Sequence, residues 1–196
     1  MSKGVIVAVI IVVIILVLVM WVIGARNSMI TKQADVENSW AQVENQYQRR
    51  ADLIPNLVEV VKGAAKQELT LFTEVAALRS QWASAVSADD RAAEITAANE
   101  MDGAISRLLL VAENYPELKS NENFLALQDE LAGTENRIAV ERKRYNDAVT
   151  VYNKYIRVWP NSMLAGWFNF SDENLFEAES GAEQAPTIEF DIQPIN

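Results

Sequence analysis

The chain has 196 residues, half of them apolar and 22% charged, with 17 Lys and Arg against 27 Asp and Glu, a formal net charge of −10 and a mean hydropathy near zero. That length is enough for one ordinary domain with accessories. The acidic balance speaks against nucleic-acid binding, which needs a basic surface. Histidine and cysteine are both absent, which excludes imidazole bases, thiol nucleophiles, disulfides and the usual zinc or iron–sulfur sites.

From Gly4 to Ala25 the chain runs 22 residues without a charge, rich in Val and Ile, with Trp21 near the downstream end. As a helix this run is roughly 33 Å long and matches the hydrocarbon core of a bilayer. It is apolar on every face, unlike a soluble helix. It is also longer than a signal-peptide core, and its tail offers only Ile23-Gly24-Ala25, a poor cleavage site. An uncleaved anchor that contacts lipid through residues 4–25 is therefore expected. The amino group and Lys3 precede the run, and Arg26 and Lys32 follow it. This weakly favours a cytoplasmic N-terminus.

Beyond the anchor the period is helical. Val36, Trp40, Val43 and Tyr47 form one apolar stripe that starts with no Pro or Gly after Gly24, so anchor and first body helix are expected to run as nearly one rod. Pro55 predicts a break or kink at Ile54 and a second helix from Pro55 to about Val86. Its inward stripe is Leu57, Val61, Ala65, Leu69, Phe72 and Val75, with Trp82 near its end. Gly63, in mid-helix, is read as a point of close helix approach. Ser87 to Asp90 has capping-box spacing. A third helix to about Glu113 buries Ile95, Ala98, Met101, Ile105, Leu108 and Ala112. After a turn at Asn114–Glu117, Ser120 or Asn121 caps a fourth helix. Its stripe of Phe124, Leu127, Leu131, Thr134, Ile138, Arg142, Tyr145, Val149, Tyr152, Ile156 and Trp159 steps by threes and fours. So long a stripe needs long partners.

The fold class expected is all-α: a membrane anchor (1–25), an antiparallel up-and-down bundle of three or four helices (26–160), and an apolar patch with an acidic tail (161–196). The patch contains Met163, Leu164, Trp167, Phe168 and Phe170, and docking on the open end of the bundle is favoured over lying in the membrane interface. The tail has seven acidic residues and no basic ones from Asn161 onward. Its Ile188, Phe190 and Ile192 alternate like a strand with no partner in the chain, which leaves pairing with a neighbouring subunit or a solvated tail as alternatives.

The polar residues offer candidate interaction sites rather than chemistry. Arg49 and Arg50 with Asp52 read first as a helix-end charge network in which Asp52 caps the next helix, and secondly as an anion or carboxylate contact. Glu59, Lys62 and Lys66 extend a solvated face. Arg142 either pairs with a carboxylate inside the bundle or lays its stem along the core edge. No glycine-rich phosphate loop is present, and E-x-x-H cannot occur without histidine, so no catalytic, cofactor or metal residue is assigned. The alternatives to a non-catalytic scaffold are a carboxylate- or metal-dependent enzyme or accessory subunit, and a membrane-remodelling protein.

Three ordered blocks resemble the LemA family. The first is Arg49-Arg-Ala-Asp-Leu-Ile-Pro-Asn-Leu-Val-Glu-Val-Val-Lys-Gly63, which includes Asn56. The second is Ala112-Glu-Asn-Tyr-Pro-Glu-Leu-Lys119 with Asn123-Phe124, Leu127-Gln128 and Thr134-Glu135. The third is Arg144-Tyr-Asn-Asp-Ala-Val149 with Tyr152-Asn153. The resemblance covers about residues 26–170 and leaves the acidic tail after Ser171 outside the recognisable pattern. Ala64-Ala65 stands where family members often carry Tyr-Ala. The resemblance implies a bacterial inner-membrane protein with one N-terminal anchor, a helical bundle and no settled activity. Homo-oligomers and other membrane or envelope proteins are the expected partners, with no nucleic acid. It also implies a short N-terminus outside the cell, opposite to the charge reading.

Overall fold

A computed structural model describes residues 3–65 and 67–176. Within them the chain is all-α, with six helices: α1 (Lys3–Ala64), α2 (Leu69–Ser87), α3 (Arg91–Glu113), α4 (Pro116–Lys119), α5 (Glu122–Arg157) and α6 (Asn161–Trp167). The strand-like alternation at Ile188–Ile192 lies outside the described residues, as does Lys66.

α1 is one helix of 62 residues, roughly 93 Å at the usual rise per residue. Its first part carries the uncharged run, long and apolar enough to cross a membrane and, among the described residues, exposed over residues 3–21. Burial begins with Val22, half-covered, and Ala25. From there Met29, Val36, Trp40, Val43, Tyr47, Ile54, Leu57 and Val61 line one face down to the helix end. Anchor and body do form a single rod.

Pro55 does not break it. A proline inside a helix has no N–H to give to the carbonyl four residues back, here that of Ala51. That carbonyl instead accepts a hydrogen bond of 3.0 Å from Arg79 Nε on α2, so a side chain from another helix replaces the missing rung. The break expected at Ile54 falls at 65–68, where Ala65 N–H still bonds Val61 O at 2.8 Å and Glu68 N–H bonds Ala65 O at 3.2 Å before α2 starts. Gly63 therefore stands in the last turn of α1, not in mid-helix. A Cβ there would meet nothing within 4 Å, so no close approach explains it.

α2 and α3 form a hairpin through a three-residue turn in which Asp89 has φ 54°. The expected capping box is absent: Asp90 itself is the N-cap, its Oδ1 accepting from Ala93 N–H at 3.0 Å. Ser87 turns its hydroxyl back to Ala83 O at 2.9 Å, the usual alternative for a helical serine. Asn121 caps α5, accepting from the N–H groups of Asn123 and Phe124.

α1 packs mainly on α5, and α2 on α3, with α1 also touching α2 and α3. Pairs such as Arg49–Glu130 and Lys32–Tyr155 show α1 and α5 antiparallel. The predicted stripes supply most of the core, and a fully buried side chain such as Leu57, Ile138 or Val149 contributes about 1.5–3 kcal/mol. Two stripe residues are exposed. Leu69 is the first residue of α2 and Trp159 lies two beyond the end of α5, where the helical phase no longer holds them inward; they are 61% and 75% exposed.

Candidate functional site

Two polar assemblies stand out, and both are built on α5. The first lies at mid-bundle. Arg50, 6% exposed, comes off α1 between Tyr47 and Ile54 and reaches Asp102 of α3 and Glu135 of α5, the latter at 2.7 Å. Burial pushes the Asp102 carboxyl up to about 6, against the pull of Arg50, with Glu135 adding to the rise. One side up, Arg49 pairs with Glu130 at 2.7 Å on the surface. The arginines are thus not the end of a helix: α1 continues, and they bind it to α3 and α5. Asp52, with no helix to cap, accepts from Gln48 Nε2 at 2.9 Å and lies 3.7 Å from Arg79. Asn56 and Glu59 line a shallow groove of about 410 Å³ with Asn123, Leu127 and Glu130, away from the Arg50 cluster.

Arg142 is half-buried and, among the described residues, meets no carboxylate. Its guanidinium donates to the Tyr47 hydroxyl at 2.8 Å and to Asn99 Oδ1 at 2.9 Å, and it lies 5.4 Å from the ring centres of Tyr47 and Phe176. Tyr47 is fully buried, and burial raises its pKa despite Arg142. A charged donor on a buried phenol satisfies both groups without a second buried charge.

The second assembly clamps the extended segment 171–176 along α5. The Asn153 amide pairs with both backbone groups of Glu173, donating to its carbonyl at 2.8 Å and accepting its N–H at 2.9 Å. The Asn146 amide does the same with Phe176, at 3.2 and 2.8 Å. The hydroxyls of Tyr152 and Tyr145 donate to the carbonyls of Ser171 and Asn174, each at 3.0 Å. Burial raises both phenol pKa values, which keeps them protonated as donors. Two helical turns advance roughly 10.5 Å, close to three residues of extended chain at ~3.3 Å each. The dipeptide Tyr-Asn repeated after seven residues therefore meets Glu173 and Phe176 in register. At the end of the strap Phe176 stacks on Trp40 with ring centres 5.5 Å apart and packs edge-on to Tyr145 at 5.2 Å. Arg91 lies over the other partner, 5.4 Å from the Trp40 ring centre, and pairs with Glu173 at 3.3 Å.

The apolar patch divides. Leu164 and Ala165 are buried and Phe170 is half-buried on the core, so the patch docks on the bundle. Met163 and Trp167 remain 55% and 74% exposed, and Phe168 sits 5.4 Å from the Arg26 guanidinium. Ile188, Phe190 and Ile192 lie outside the described residues.

Sequence reasoning overlooked the clamp and a buried carboxylate, Glu94, which is 2% exposed. Burial, then Glu44, Asp89 and Asp90, raise its pKa to about 7 against Arg91, and its Oε2 has no hydrogen-bond partner among the described residues. The available signals were the seven-residue repeat of Tyr-Asn and the phase of Glu94, four residues before Ala98 on the α3 stripe. Among the described residues no three acidic side chains converge to hold a metal. The assemblies fix helices and read backbone; they present no nucleophile beside a base.

The model of the LemA family matches residues 39–190. The magnetosome proteins MamQ 1 and MamQ 2 of Paramagnetospirillum magneticum are each 24% identical to the chain over 196 residues, covering 87% of it and 72% of their own length. The protein LemA of Metamycoplasma hominis is 19% identical over 156 residues, covering 80% of the chain and 70% of its own. The match continues to residue 190, so the family pattern includes the strap and much of the acidic tail, which the motif resemblance had left outside.

Proposed function

Because the chain belongs to the LemA family of bacterial membrane proteins, we propose that it is a single-pass scaffold of the bacterial inner membrane that works by association, either with further copies of itself or with other envelope proteins, and catalyses nothing. In this reading residues 1–25 are the anchor, 26–160 an up-and-down bundle whose four rods are the lower part of α1, α2, α3 and α5, and 161–196 an appended segment strapped to α5. The observation that carries it is the unbroken α1: an anchor that becomes the central rod of the body holds that body at a set height and angle, as a platform requires. The missing histidine and cysteine and the internal pairing of Arg50, Arg142 and Asp102 support the same reading, since these charged groups serve to lock helices together. The surfaces offered to partners are the groove at Asn56 and Glu59, the exposed Arg49–Glu130 pair, and the tail with Ile188, Phe190 and Ile192.

The test is crosslinking with mass spectrometry in native membranes from cells carrying equal amounts of light- and heavy-isotope protein at native expression. Reproducible crosslinks to one envelope protein, or mixed light–heavy links between copies, are the expected result. Background neighbours alone would refute the proposal.

A further inference from the structure

The lower end of the apolar run has a second element beside it. α6 packs on both α1 and α5, and Phe168, directly after it, lies against Arg26, the first charge beyond the run. Burial on α1 starts at Val22, three residues inside the end of the run, or roughly 4.5 Å along the axis. If residues 4–25 fill the hydrocarbon, α6 stands at the depth of the lipid headgroups.

Its composition fits that depth. Residues 158–171 carry no charge, and the loop is closed at its base by Arg157 and Asp172, paired at 2.9 Å. The inward side of α6 gives Leu164 and Ala165 to the core. Met163 and Trp167, four apart and so on one face, are exposed together with the preceding Trp159. Lys32 and Lys154 line a groove with Tyr155 and Asn161 beside it, which places amines on the same end of a chain that is acidic overall. Exposed tryptophans flanked by lysine and arginine make up a surface for the membrane–water boundary, where indole rings and cations both find favourable partners.

We propose that α6 with Trp159 is a second membrane contact: a neutral aromatic foot whose exposed face, Trp159, Met163 and Trp167, lies in the headgroup layer beside the anchor, with the bilayer itself as its occupant. The proposal rests on the membrane reading of residues 4–25, and the two fail separately in the experiment.

The absence of native cysteine makes single-site labelling clean. Full-length protein carrying Met163→Cys, Trp167→Cys, Val12→Cys or Leu110→Cys is labelled with an environment-sensitive fluorophore. Each variant is reconstituted in phosphatidylethanolamine–phosphatidylglycerol vesicles with lipids that carry a nitroxide near the headgroup or deep in the acyl chain. The labels at 163 and 167 are expected to be quenched severalfold more by the shallow nitroxide than the label at 110, which sits far along α3, while Val12 responds to the deep one. Quenching at 12 with none at 163 and 167 overturns the foot and leaves the anchor standing. No quenching at 12 overturns both. Labels at 163 and 167 shielded from aqueous iodide yet untouched by either lipid mean that protein covers the face, which also overturns the proposal.

Discussion

Arg79→Met tests whether a side chain from α2 keeps α1 continuous through Pro55. The substitution retains the stem and removes the donor, leaving the carbonyl of Ala51, a residue only 1% exposed, without the bond it receives at 3.0 Å. An unsatisfied buried acceptor costs about 1–3 kcal/mol. Since Arg79 is half-exposed and water has some access, the expected loss is about 1–2 kcal/mol, or a fall of about 2–8 °C in Tm for a chain of this size. Arg79 also lies 3.7 Å from exposed Asp52, a pair that contributes at most about 1 kcal/mol. Pro55→Ala separates the two contributions. Alanine restores the N–H for Ala51 and removes the ring clash, so it is expected to be neutral or stabilising by about 1 kcal/mol, well below the ~3 kcal/mol of an uncompensated helix proline. In the Pro55→Ala background the Ala51 bond no longer depends on Arg79 while the Asp52 pair is unchanged. A double-mutant cycle in detergent, with urea unfolding followed by circular dichroism, should therefore show a coupling of about 1 kcal/mol. Equal costs of Arg79→Met in both backgrounds would refute the reasoning, and so would a large destabilisation by Pro55→Ala.

Arg50→Leu should be among the most damaging single changes, at about 3 kcal/mol, because it removes the buried guanidinium that holds half-buried Asp102 and Glu135 together; adding Asp102→Asn should recover part of the loss in the same unfolding assay. The raised carboxylates set a pH dependence. Each binds its proton more tightly folded than unfolded, so their stabilisation is complete below the unfolded values near 4, and it is lost as pH rises through about 6 for Asp102 and about 7 for Glu94. Tm is expected to fall between about pH 4 and pH 7, and to fall less in Glu94→Gln; a fall of the same size in that variant would remove Glu94 as a contributor. Asn153→Ala should release the strap at Glu173 at a cost of about 1 kcal/mol and speed hydrogen exchange at the amides of Glu173 and Phe176, while Tyr47 and its neighbours keep their protection. Unchanged exchange at Glu173 would show that the stacking of Phe176 on Trp40 holds the strap unaided.

What the sequence revealed, and what it concealed, follows from the range of the interactions. The anchor and the stripes of α1, α3 and α5 are written in composition and period, so Val43, Tyr47, Ile138 and Tyr152 were placed inward without any knowledge of their partners. Pro55 was misjudged because its effect is local but its remedy comes from Arg79, 24 residues on. The Arg49–Arg50–Asp52 run looked like a helix end for the same reason: the carboxylates that bury Arg50 belong to α3 and α5. The clamp was hidden more deeply, since Asn146 and Asn153 recognise backbone atoms, which carry no sequence signature. The apolar patch was legible as a set of residues, yet only the fold divides Leu164 and Ala165 from Met163 and Trp167.

The continuity of α1 turns the protein into a lever with its fulcrum in the bilayer. From Arg26 to Ile54 the rod extends roughly 42 Å below the apolar run. Transmembrane helices lean over a range of tens of degrees as hydrophobic thickness changes, and a change of about 10° in the lean of residues 4–25 displaces Ile54 sideways by roughly 7 Å. With no hinge between the two parts, thinning or thickening of the membrane is written into the lateral position of the far end of the body, where Asn56, Glu59 and Glu130 are displayed.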